Sequence, residues 1–106
     1  MKTEFYVAKE FTTTPSARKV SEGKFSGFEL REILTPLIRE AIRNRQHFTV
    51  NLDGTAGYGT SFLEEVFGGL VRDEHFSKND LKSYLIIISE EEPDLIDEIW
   101  EDIEAA

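Results

Sequence analysis

The sequence predicts an α/β domain with a mixed four-stranded sheet packed with about three helices, and two observations predict it. Short β-type runs, rich in apolar residues, alternate with runs of helical period in the order β, β, α, β, α, β, α, the pattern of a mixed or parallel sheet with packed helices. The chain has 106 residues, 40% of them hydrophobic and 11% aromatic, which is enough for one core and too little for two. Residues 1–106 therefore read as a single domain, without internal repeat or low-complexity linker.

Phe5-Tyr6-Val7 reads as the first strand. A Thr12-Thr13-Thr14-Pro15-Ser16 turn cluster follows, then a second extended piece near Arg18 to Val20. From Ser26 the period becomes helical, with Leu30, Ile33, Leu34, Leu37, Ile38, Ala41 and Ile42 recurring, and Ser26-Gly27-Phe28-Glu29 has the form of a capping box. Pro36 either kinks this helix or restarts it behind Thr35. Phe48 to Leu52 alternates as a strand, and a glycine-rich turn carrying Gly54, Gly57 and Gly59 leads from it into a helix striped by Phe62, Leu63, Val66, Phe67, Leu70 and Val71. Ser61-Phe62-Leu63-Glu64 reads as a second capping box. Ser83 to Ile88 is nearly continuous in apolar residues and suits a central strand covered on both faces. Pro93 opens a last helix, with Leu95, Ile96, Ile99, Trp100 and Ile103 on one side and acids on the other.

The formal net charge is −9, and its distribution is uneven. From Glu90 onward there are nine acids and no base, leaving twelve of each before it. That block repels phosphate backbones, so nucleic acid is not an expected partner. No run approaches a membrane span and the N-terminus lacks the apolar run of a signal peptide, so a cytoplasmic location is expected and no membrane partner. There is no cysteine, and only His47 and His75 supplement the carboxylates, so neither a metal nor a cofactor is expected.

The turn from Asp53 to Ser61 invites three chemistries. Gly54-Thr55-Ala56-Gly57-Tyr58-Gly59-Thr60-Ser61 has the spacing of a phosphate-binding P-loop, but Thr60 stands where its lysine belongs. The dinucleotide pattern ends in Phe62 where a third glycine is required. Acyl transfer by Ser61 needs a base, and His47 and His75 each lie about 20 Å away by strand or helix rise. The chain is therefore expected not to be an enzyme. Thr60 and Ser61 stand at a helix N-terminus, where free N–H groups and the dipole favour negative charge, and the alternative reading is that Ser61 only caps and the glycines only supply positive φ. Asp53, likewise, is placed to bond turn amides.

The string Val50-Asn51-Leu52-Asp53-Gly54, then Gly57-Tyr58-Gly59-Thr60-Ser61-Phe62-Leu63-Glu64-Glu65-Val66-Phe67-Gly68-Gly69-Leu70, preceded by Phe25-Ser26-Gly27-Phe28 and Arg31, resembles the STAS-like family of bacterial domains of unknown function. That family is similar to STAS domains, the fold of the anti-sigma-factor antagonists, in which a strand ending in Asp leads to a loop whose Ser or Thr is phosphorylated by a partner kinase. The resemblance implies a reduced STAS-like single domain. It makes Asp53 the strand-end acid, Thr60 or Ser61 the phosphoacceptor, and a histidine-kinase-like ATPase or an anti-sigma factor the partner. Where the antagonists carry Asp-Ser-Ser-Gly, this chain has Gly59-Thr60-Ser61-Phe62.

The expected function is a regulatory, protein-binding domain whose contact surface comprises Asp53, Gly54, Gly57, Tyr58, Gly59, Glu64 and Glu65 around the two hydroxyls. A nucleotide or other anionic small ligand bound at the same turn is the alternative. A third reading is a module that forms a homodimer through an exposed strand edge.

Overall fold

The computed structural model describes all residues from 1 to 106. Three strands, β1 (Glu4–Tyr6), β2 (Phe48–Asn51) and β3 (Leu85–Ile88), form one sheet in the order β1-β2-β3, and both pairings are parallel. The expected fourth strand is absent and the sheet is parallel rather than mixed. The segment from Arg18 to Val20 leads instead into a 3-10 turn, Val20–Glu22, because the Glu22 carboxylate folds back to accept from the amides of Arg18 and Lys19. Backbone donors satisfied locally have no need of a neighbouring strand.

Five helices accompany the sheet rather than about three. Helix α1 (Val7–Glu10) begins at the residue expected to end the first strand. Helix α2 (Gly27–Arg43) starts at the predicted capping box: Ser26 Oγ accepts from the Glu29 amide at 3.2 Å, and Glu29 Oε1 accepts from the Ser26 amide at 3.0 Å. It runs on through Pro36, which is exposed, so the carbonyl that loses its donor faces solvent. Helix α3 is built from the consecutive stretches Thr60–Leu63, Glu64–Gly68 and Gly69–Arg72, of which the middle one is π-helical. Helix α4 (Lys78–Tyr84) is capped by Ser77 Oγ, which accepts from the Asp80 amide at 3.0 Å, and it takes Ser83 and Tyr84 away from the expected strand. Helix α5 (Asp94–Ala105) closes the chain behind Pro93.

Parallel strands in sequence order, joined by right-handed crossovers, put their connecting helices on one face. Accordingly α2, α3 and α5 pack together over the inward row Phe5, Phe48, Val50, Leu85 and Ile87. The outward row, Glu4, Tyr6, Thr49, Asn51, Ile86 and Ile88, contains no buried residue. This corrects the reading of the third strand as central and doubly covered: β3 is an edge strand, and Ile86 is 40% exposed. Three consecutive isoleucines read as a doubly buried run although only Ile87 of the three faces the helices. On α5, Leu95, Ile99 and Ile103 enter the core, whereas Trp100 packs against it only in part.

Candidate functional site

The turn after β2 lies at the carboxyl end of the sheet and is held from several sides. Asp53 does bond turn amides, but those of the neighbouring connection: its two carboxylate oxygens accept from Glu90 N at 3.1 Å and Glu91 N at 3.0 Å. Glu91 returns the contact, Oε1 accepting from the Gly54 amide at 2.7 Å. Tyr58 folds its ring under the turn beside Phe62, with centroids 6.0 Å apart, and its hydroxyl donates to Leu52 O at 2.7 Å. Burial pushes that phenol well above its ordinary value, so it stays a neutral donor. From the other side the Thr12 to Ser16 turn is laced to it, Thr13 O accepting from Ala56 N at 2.8 Å and Pro15 O from Gly59 N at 3.3 Å.

Gly54 and Gly57 have φ of 92° and 128°, the left-handed backbone that side chains resist. Gly59 does not: at φ −71° it is an ordinary extended N-cap whose value is space, since a Cβ there would lie 3.1 Å from Ser16 O.

Ser61 is not the cap of α3. Gly59 occupies that position, and the helix begins at Thr60. Thr60 and Ser61 are both exposed, and their hydroxyls make no hydrogen bond within the chain. The amides of Thr60, Ser61 and Phe62 likewise find no acceptor, as expected of a first helical turn without a side-chain cap. His47 sits before β2, at the opposite end of that strand from Ser61, and exposed His75 follows the far end of α3. The chain therefore places no histidine beside Ser61.

Glu64 and Glu65, expected on the contact surface, are turned to another use. Arg31 of α2 is only 3% exposed, and its Nη1 donates to both the carboxylate and the backbone carbonyl of Glu65. Its Nε reaches Glu74 Oε2 at 3.1 Å. Arg18 bridges the two acids, with Nη1 2.7 Å from Glu64 Oε1 and 3.0 Å from Glu65 Oε1. Arg72 Nη1 lies 2.7 Å from Glu64 Oε2. The Arg72 guanidinium is the main influence holding Glu64 below the usual carboxylate range. Burial pushes Glu65 up, but its bonds from Arg31 and Arg18 outweigh that and hold it down as well.

Glycines make room for this ladder. A Cβ on Gly69 would collide with the Arg31 guanidinium, and one on Gly27 would lie 2.8 Å from Phe62 O. The Ser61 to Leu70 string thus encodes a helix that receives a buried arginine, through Glu65 and Gly69, as much as a surface. Sequence reasoning missed Arg18, Arg72 and Glu74; a buried arginine needs acidic partners, but nothing in the chain marks Arg31 as buried before the helices are packed.

The molecule has three shallow surface hollows, and no residue from 53 to 61 lines any of them. No cluster of His, Asp and Glu is arranged to hold a metal, and no helix is long and apolar enough to cross a membrane.

Residues 27–95, from the start of α2 to the first turn of α5, match the model of a family described as a STAS-like domain of unknown function. No curated protein and no solved structure matches the chain.

Proposed function

The chain belongs to the family of STAS-like domains of unknown function, and from that membership we propose a non-enzymatic regulatory domain that acts in the cytoplasm by binding another protein through the turn from Asp53 to Ser61. The observation that carries the reading is the pairing of a firmly held turn with two free hydroxyls: Thr60 and Ser61 are exposed and their hydroxyls bond to nothing, whereas the residues beneath them are anchored. Internal roles for Glu64 and Glu65 reduce the proposed contact to Gly54, Gly57, Gly59, Thr60 and Ser61, with Asp53 and Tyr58 as supports.

The rim of this surface carries Glu90, Glu91 and Glu92, all exposed. A partner that presents lysine or arginine complements it. The same acids disfavour the alternative of a nucleotide or other anion at the turn, because Glu91 already accepts the Gly54 amide such a ligand would need. A histidine-kinase-like ATPase or an anti-sigma factor is the partner class suggested by resemblance to the STAS antagonists. Phosphorylation of Thr60 or Ser61 would set a dianion against unpaired helix amides, which tolerate it, and would change the charge presented to the partner.

The test is capture of partners from the native host, followed by binding measurements on variants. Thr60→Glu and Ser61→Glu should weaken binding at least about tenfold while the fold persists, and Thr60→Ala should do so less. The purified chain should show no ATPase or esterase turnover. Partner affinity indifferent to all three substitutions ends the reading, and loss of a small-molecule thermal shift in the same variants, with no protein captured, would favour the anionic ligand.

A further inference from the structure

The two edges of the sheet are treated differently. On β1 one of the two outward amides is closed by the chain itself: Tyr6 N–H donates to Glu10 Oε2 at 2.8 Å, and Lys2 Nζ sits 2.7 Å from Glu10 Oε1, while Glu4 N–H has no partner. A carboxylate and an ammonium on an edge are how sheets refuse further strands. On β3 no charged pair guards the edge. Leu52 N donates to Ile88 O, so Ile86 and Ile88 direct their backbone groups at β2, and in a parallel ladder the alternate residues Leu85 and Ile87 point theirs away. The Leu85 amide is taken by Leu81 O, but Ile87 N–H and C=O have no partner in the chain. The strand itself, Leu85–Ile88, contains no charge, no proline and no bulge.

We propose that the β3 edge is a homodimer seam, at which two copies pair β3 with β3 antiparallel about a two-fold axis through Ile87 to make one six-stranded sheet. A two-fold places each patch against itself, so the edge must be self-complementary, and it is. The two Ile87 residues exchange both of their free backbone bonds, and Leu85 O of each copy accepts from the Ser89 amide of the other. Ile86 of one copy lies opposite Ile88 of the other on the outward face, which covers the 40% exposed Ile86.

The flanks agree. The chain enters β3 from α4 with Lys78 and Lys82, Asp80 standing between them, and leaves it through Glu90, Glu91 and Glu92, of which Glu91 is held by the Gly54 amide and Glu90 and Glu92 are free to face a second copy. Antiparallel pairing brings the basic end of one copy alongside the acidic end of the other, at both ends of the seam. The lysines now contact Glu104, Lys82 Nζ at 2.6 Å from its carboxylate with both side chains about half exposed, an arrangement free to exchange partners. Parallel stacking of the two edges would instead set like charges together. Glu90, Glu91 and Glu92 border both this seam and the contact proposed at the Asp53 to Ser61 turn, but self-association of the chain alone reads the seam and capture of another protein reads the turn, so either assignment can fail without the other.

Sedimentation equilibrium of the 106-residue chain, from roughly 10 μM to 1 mM, reads the proposal directly. A seam of one short strand predicts a weak dimer, with Kd on the order of 10 to 100 μM, that loosens about fivefold between 50 and 500 mM salt. Ile86→Lys, at an exposed position, should weaken it more than about tenfold with unchanged circular dichroism. Hydrogen exchange at the Ile87 amide should slow at least about threefold as concentration rises through the Kd. A monomer at 1 mM, or a dimer that Ile86→Lys leaves intact, overturns the assignment. Should Ile86→Lys fail to fold, Lys82→Glu and Glu92→Lys decide: each alone must weaken the dimer and the two together restore it, and association indifferent to all three also overturns it.

Discussion

Replacing Arg31 with methionine removes a guanidinium that is 3% exposed while keeping much of its aliphatic bulk. Glu65 then stays nearly buried, with Arg18 as its remaining cationic partner. Breaking a buried ion pair by removing one member costs about 3 to 5 kcal/mol, and the surviving Arg18 contact argues for the lower end, about 3 kcal/mol. At about 2.1 cal/mol/K per residue, the 106 residues have an unfolding entropy near 0.22 kcal/mol/K, so the melting midpoint should fall by about 13 °C at pH 7. The sign of the pH dependence follows from Glu65, which Arg31 and Arg18 hold below its ordinary value of 4.5 despite burial. A depressed carboxylate contributes stability that is present above the unfolded value and lost as pH falls through the folded one. In Arg31→Met, Glu65 keeps only Arg18 and takes up a proton more readily, so the gap between variant and parent should narrow to under about half by pH 4. Thermal denaturation followed by circular dichroism at pH 7, 5.5 and 4 measures all of this. A loss of less than about 3 °C at pH 7, or a gap that does not change with pH, would refute the view that this ladder holds α2 against α3. Arg31→Met combined with Glu65→Met should recover part of the loss, because no buried charge then remains unpaired.

The opposite pH dependence is expected of Asp102. Burial, with Glu64, Glu98 and Glu101 nearby, pushes its carboxyl from 3.8 up to about 6, and its Oδ2 has no partner. A raised carboxylate loses stability as pH rises from about 4 through 6, so Asp102→Asn should be more stable than the parent by about 1 kcal/mol at pH 7.5, after allowance for solvent screening, and equal to it at pH 4; melting curves across that range check it. Gly27→Ala puts a Cβ 2.8 Å from Phe62 O and should cost about 1 to 3 kcal/mol by forcing α2 from α3, whereas an alanine at exposed Ser61 should leave the unfolding free energy from denaturant titration within about 0.5 kcal/mol. Tyr58→Phe leaves Leu52 O without its donor and should cost about 1 kcal/mol, with the Asp53 to Ser61 turn exchanging its amides faster.

Much of this protein is written locally and can be read without its fold. The capping box at Ser26, the helical stripes of α2, α3 and α5, the alternation of β2 and the turn that follows it are set by spacing and by side chains acting within a few residues of themselves. The acidic character of the last helix is legible for the same reason. Other features depend on what the chain meets across space. Arg18 to Val20 had no strand to join once Glu22 satisfied its amides, and β3 became an edge because nothing lies beyond it, which a run of isoleucines does not encode. Glu64 and Glu65 look like surface acids at a helix start; Glu65 became the interior partner of Arg31 only when α2 and α3 packed through Gly27 and Gly69, while Glu64 pairs with Arg18 and Arg72 nearer the surface. Spacing records which residues share a face, and a buried charge is paired by neighbours more than thirty residues away, so its partners are decided by packing.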